Sequence, residues 1–359
     1  MKTEFQANLL PTLIGSLPID NHRKAVEIVA EHTPEIPLWV QLPAYKEEGM
    51  MVQFMPGLPG FTFENDKAFI DTKYENFEGD LLKFYEDFVA VEEGGIDLSD
   101  PSVSRFALTN DMAPGFFEFL DYLDTLAVPP VAVKGQITGP VTIGTGLNDQ
   151  DGRPIFYNEQ LRDAAVKHLA MKARWQVRQL SKYGCPVIIF FDEPALTGFG
   201  SSSFISISRE EIENCFNEVI NAVHAEGGLA GIHVCANAEW SLVLESPADI
   251  VSFDAYAFFD KFILYPEQLK RFIKAGGILA WGLVPTLNVE DLEKETTDSL
   301  IKKFDERVGK IEALGIDMST ILAQSLITPS CGTGSLSLEN AVRVLKLTGD
   351  LSNRLRDRL

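Results

Sequence analysis

The chain has 359 residues, 45% hydrophobic and 23% charged, long enough for one large barrel or two smaller domains. Its net charge of −21 leaves no surplus of cations to meet phosphates, which disfavours nucleic acid and anionic membranes as partners. Cys185, Cys215, Cys235 and Cys331 are too few and too scattered for a disulfide framework. No apolar run reaches membrane-spanning length, and the first ten residues lack a signal peptide's apolar core, so a cytoplasmic location is expected.

Short apolar runs alternate with longer stretches of helical period, the pattern of repeated βα units around a parallel sheet. Strands are expected at 12–16, 38–42, 131–136, 187–191, 229–235, 250–254, 278–283 and 321–327. Helices are expected at 21–32, 77–93, 115–126, 158–182, 208–225, 266–275, 290–314 and 338–351. Ser208 with Glu211 forms a capping box, and Gly227-Gly228, Gly276-Gly277 and Gly315 fall where helix ends favour a left-handed residue. This order fits a (β/α)8 TIM barrel better than an open doubly wound sheet. Residues 50–101 are too long for one βα unit, and Pro56-Gly57-Leu58-Pro59-Gly60 opens an insertion. With no repeat and no linker, residues 1–359 read as a single barrel carrying that insertion.

In such a barrel the chemistry sits at the C-terminal ends of the strands. His233 and Cys235 are two apart on a strand and project from one face. Imidazole nitrogen and thiolate sulfur are ligands that zinc prefers, although a buried cysteine is more often a packing residue. Asp254 and Cys331 also fall at strand ends, completing an N, S, O and S donor set that favours zinc over magnesium or calcium. The set meets only if the barrel closes. Asp192-Glu193-Pro194 follows the buried run 187–191, so both carboxylates are catalytic candidates, with a helix cap or a salt bridge as the alternatives. A carboxylate there suits a substrate ammonium, and the Gly15-Ser16 turn can offer backbone N–H groups to a substrate carboxylate. Cys185 and Cys215 read as packing residues. His22, His32, His168 and His224 fall in helices and read as surface or interface residues.

Five stretches together resemble the catalytic barrel of cobalamin-independent methionine synthase. They are Ile14-Gly15-Ser16-Leu17-Pro18, Gly139-Pro140-Val141-Thr142-Ile143, Asp192-Glu193-Pro194-Ala195-Leu196, His233-x-Cys235 and Cys331-Gly332. The resemblance implies a zinc ion that activates homocysteine for methyl transfer, giving methionine. Its zinc ligands would be His233, Cys235 and Cys331, with Asp254 in place of a family glutamate. Asp192 is similar to the family's ammonium partner, and Ile14, Gly15 and Ser16 to its carboxylate contact.

Four departures accompany it. The chain is about half the length of two-barrel members. Gly146 stands where the family's folate-stacking tryptophan is expected, and no histidine follows His233 to act as proton donor. No glutamate in Gln41-Leu42-Pro43-Ala44 matches the family's second amine contact, although Glu47 and Glu48 lie nearby. The methyl donor is therefore expected to be a methylcorrinoid, delivered by a corrinoid protein, rather than methyltetrahydrofolate. The alternatives are methyl transfer to another small thiol, such as coenzyme M, or a metal-free lyase similar to uroporphyrinogen decarboxylase.

Overall fold

The computed structural model describes residues 5–199 and 206–359. Six parallel strands pair in chain order: β1 (Val133–Thr138), β2 (Val187–Asp192), β3 (Leu229–Val234), β4 (Ile250–Phe253), β5 (Ile278–Val284) and β6 (Ser325–Pro329). Each is separated from the next by helix, as a parallel crossover requires. Both faces of the sheet are buried, so the strands are mainly apolar, and β1 is the exception, with Lys134, Gln136 and Thr138 buried in it. Alternation sorts the side chains. Ile188, Phe190, Ile250, Ile278, Ala280 and Leu326 share one inner cluster, while Ile189, Phe191, Ile232, Val251, Leu279 and Ile327 pack outward under the helices.

The regular sheet has six strands where eight are expected. Residues 12–16 and 38–42 form no strand, yet single parallel bridges join Pro11 to Ile327, Ser16 to Gln41 and Leu38 to Lys134. Extended chain therefore links β6 to β1. Pro11, Pro18, Pro37 and Pro43 flank these segments, which join their neighbours through the Thr12 amide on the Ile327 carbonyl at 3.0 Å, the Gln41 amide on the Gly15 carbonyl at 2.8 Å and the Lys134 amide on the Pro37 carbonyl at 3.0 Å.

Two other boundaries differ from expectation. Asp317 caps a short helix, Met318–Ala323, and delays the last strand to Ser325. The expected helix 290–314 is two, Val289–Lys294 and Thr297–Glu312, because Thr296 and Ser299 start a second capped turn. The Ser208 box forms as expected, with the Glu211 amide donating to Ser208 Oγ at 3.2 Å. None of the helices among the described residues is long and apolar enough to cross a membrane.

The insertion is built of a hairpin and a helix. Asn65 and Asp66 take left-handed backbone angles (φ 49° and 62°) and turn strand Phe61–Glu64 onto Lys67–Ile70. Helix Phe77–Glu92 then covers the long helix Glu159–Leu180, with Phe84 6.1 Å from the His168 ring. His168 is thus fully buried rather than at the surface, its Nε2 2.9 Å from the Phe54 carbonyl. One turn on, Lys172 is also fully buried, and its Nζ has no hydrogen-bond partner among the described residues.

Burial pushes the Lys172 ammonium down to about 7, from an ordinary 10.5. Between those values the unfolded chain holds the extra proton, so this group makes stability rise with pH, by at most ~1.4 kcal/mol per pH unit. Lys172→Met should raise stability at pH 7 by about 1–3 kcal/mol, because it removes an unsatisfied buried donor while keeping the volume. Urea unfolding at pH 7, 8 and 9 checks both points. A variant that kept the wild-type pH slope would refute the account.

Candidate metal centre

Register sets the site. Asp192 of β2 lies beside His233 of β3, and His233 beside Ser252 of β4. His233 is almost fully buried, with Nδ1 2.9 Å from Ser252 Oγ. Its Nε2 is buried without a hydrogen-bond partner among the described residues. Cys235 follows the last residue of β3, and Cys331 lies two residues beyond β6. The ligand atoms of His233, Cys235 and Cys331 all lie within 4.8 Å of one another. Donors on one tetrahedral zinc, bound at roughly 2.0–2.3 Å, are about 3.3–3.8 Å apart, so small side-chain shifts would bring this group onto an ion. A hydrogen bond from the Cys331 thiol, and the neighbouring His233, pull the Cys235 thiol down to about 4. The same bond pushes the Cys331 thiol upward.

The loop after Cys331 is held by the first expected segment. Ser16 Oγ accepts from the Gly334 amide at 3.1 Å, and the Ser16 carbonyl accepts from Thr333 N and Oγ1 at 3.1 and 2.8 Å. A Cβ on Gly332 would lie 2.3 Å from Ser16 Oγ, so only glycine lets the two segments meet. Ile14, Gly15, Ser16 and Cys331 line one narrow crevice.

Asp254 lies outside the three-donor group. Its Oδ1 accepts from the Ala257 amide at 2.8 Å and caps helix Ala255–Phe262, while burial raises it to about 6. Glu193 is likewise drawn away. Its oxygens accept from Val141 N, Thr142 N and Thr142 Oγ1 at 2.9, 2.8 and 2.7 Å, at the start of helix Pro140–Gly146. That is the helix-cap alternative. Asp192 stays with the centre; burial raises it to about 6, against the opposing pull of His233 and Lys134. Its Oδ1 is buried without a partner among the described residues.

Glu48 is buried, with its oxygens on the Leu42 amide at 2.7 Å and on His22 Nε2 at 2.5 Å, so it is committed to the fold. At Gly146 a Cβ would lie 2.9 Å from Met51 Sδ, so the insertion fills the space beside that position. Sequence reasoning missed Ser252 and Lys134. The signal was present for both: a polar residue inside an apolar strand run, in step with the inward-facing positions.

No family profile and no curated protein sequence matches the chain. Its structure is similar to that of a B12-independent methionine synthase from Shewanella sp. W3-18-1 in complex with selenomethionine, with a TM-score of 0.55 and 14% identity over 98% of each chain. It is also similar to a methyltransferase from Methanosarcina mazei, with a TM-score of 0.52 and 15% identity over 94% of this chain and 84% of that one. At such identity the likeness shows a shared α/β architecture.

Proposed function

We propose that the chain is a zinc-dependent S-methyltransferase whose acceptor is a small thiol, with homocysteine favoured over thiols such as coenzyme M. One observation carries the reading: a buried His233 fixed through Nδ1 by Ser252, with Nε2 unpartnered and two thiols beside it. Zinc-binding histidines are held in this way through the nitrogen that does not bind the metal. The architecture shared with a methionine synthase and a methyltransferase supports it. We read the bridged ring as a (β/α)8-type barrel, closed by residues 11–16 and 38–41.

His233, Cys235 and Cys331 would hold the ion. Bound zinc supplies an acidified substrate thiol, whose ordinary pKa of roughly 8.5 keeps it protonated at neutral pH. Asp192 binds the substrate ammonium, and the backbone of Ile14, Gly15 and Ser16 its carboxylate. Asp254 can serve as a fourth ligand only by releasing the Ala257 amide. The methyl donor in this reading is a methylcorrinoid on a partner protein.

Metal analysis of protein purified without chelators, together with methyl transfer to homocysteine, tests the reading. Substoichiometric zinc with no inhibition by chelators would overturn it. Asp192→Asn should keep the zinc but weaken homocysteine binding about tenfold to a hundredfold, the worth of one charge-assisted contact. An equal loss with a thiol that has no amine would remove that assignment.

A further inference from the structure

One charged side chain lies in the inner layer of the sheet, where neither the fold nor the proposed chemistry explains it. Lys134 of β1 is fully buried. Its Nζ donates to the Ile14 carbonyl at 2.6 Å and to Gln136 Oε1 at 3.4 Å, and sits 4.5 Å from the centre of the Phe190 ring. Two residues on, Gln136 Nε2 donates to the Trp39 carbonyl at 2.9 Å. Its side chain packs so closely on Gly15 that a Cβ there would lie 2.9 Å from Gln136 Cδ. β1 thus grips both residues that precede Ser16, one by a hydrogen bond and the other by contact.

The carboxylate whose charge acts on Lys134 is Asp192, with its buried and unpartnered Oδ1. Burial opposes charge on each, and each favours the charged form of the other. Lys134 is therefore hydrogen-bonded to one expected anchor of an amino-acid substrate and shares a buried interior with the other.

We propose that Lys134 is a positioning residue for a zwitterionic α-amino-acid thiol: through its hydrogen bond to the Ile14 carbonyl it fixes the Ile14–Gly15–Ser16 backbone, the expected anchor of the substrate carboxylate. The inference rests on the proposed function and narrows its substrate class. A zwitterion needs an anion for its ammonium and N–H groups for its carboxylate at a set separation. A plain thiol needs neither, so a role confined to packing predicts no such selectivity.

The test is calorimetric titration of zinc-loaded wild type and Lys134→Met with homocysteine and with 2-mercaptoethanol, alongside zinc content and circular dichroism. Homocysteine affinity should fall about tenfold or more, the loss expected for a hydrogen bond to a charged group, while zinc content and 2-mercaptoethanol affinity stay within about twofold. Lys134→Gln should show the same selectivity and serves if the Met variant does not fold. Equal losses for both thiols, or an unchanged homocysteine affinity, would overturn the role of Lys134 alone. Wild type that binds neither thiol would overturn the methyltransferase reading as well.

Discussion

Cys331→Ser and Cys235→Ser should each strip the protein of zinc and of methyl transfer together while the fold stands. A serine hydroxyl is a poor substitute for thiolate, and each change removes one of the three donors that the structure gathers. Losing only an outer partner of a metal ligand costs roughly 10–100-fold in affinity, so losing a ligand should cost more and leave the ion easily dialysed. The fold should survive because both cysteines are half-buried residues beyond strand ends, outside the two apolar layers that enclose the sheet. Cys185→Ser is the control, since Cys185 lies outside the three-donor group and should keep its metal. Metal analysis, turnover and thermal melting measure the three outcomes. A Cys331→Ser protein that kept stoichiometric zinc and normal turnover would end the metal assignment.

With homocysteine as acceptor, methylcobalamin should outpace methyltetrahydrofolate by roughly 10²–10⁴-fold, the usual contribution of a positioned general acid. Folate must release its N5 as an amine, which leaves poorly unless protonated. No histidine follows His233, and the Glu193 oxygens are taken up at a helix start. Cobalt needs no acid, because it leaves with the electron pair as Co(I). The assay compares methylcobalamin with mono- and polyglutamylated methyltetrahydrofolate. Faster turnover with a folate would refute the donor assignment.

Regular elements were legible wherever burial was uniform. The runs that became β2 to β5 are mainly apolar because both faces of the sheet are covered, and local composition reports that directly. The first two expected strands are extended chain that bridges its neighbours at single positions, a pairing too short for a regular strand. The last began late because the Asp317 cap won residues 318–323 for a helix. His168 was misplaced for another reason: its helix is covered by the insertion, and nothing local in residues 158–182 signals that cover.

The candidate site divides in the same way. Strand alternation already put His233 and Cys235 on one face, and the βα order put Asp192, Asp254 and Cys331 at strand ends. Only tertiary structure decided which of these meet. Ser16 clips the loop that brings Cys331 to the pair, while the amides of Ala257, Val141 and Thr142 claim Asp254 and Glu193. A carboxylate at a strand end can cap a helix or face the barrel axis with the same neighbours in sequence. Which occurs depends on whether an unpaired helix N–H or the centre lies within about 3 Å of it, a distance set by the packing of elements remote in the chain.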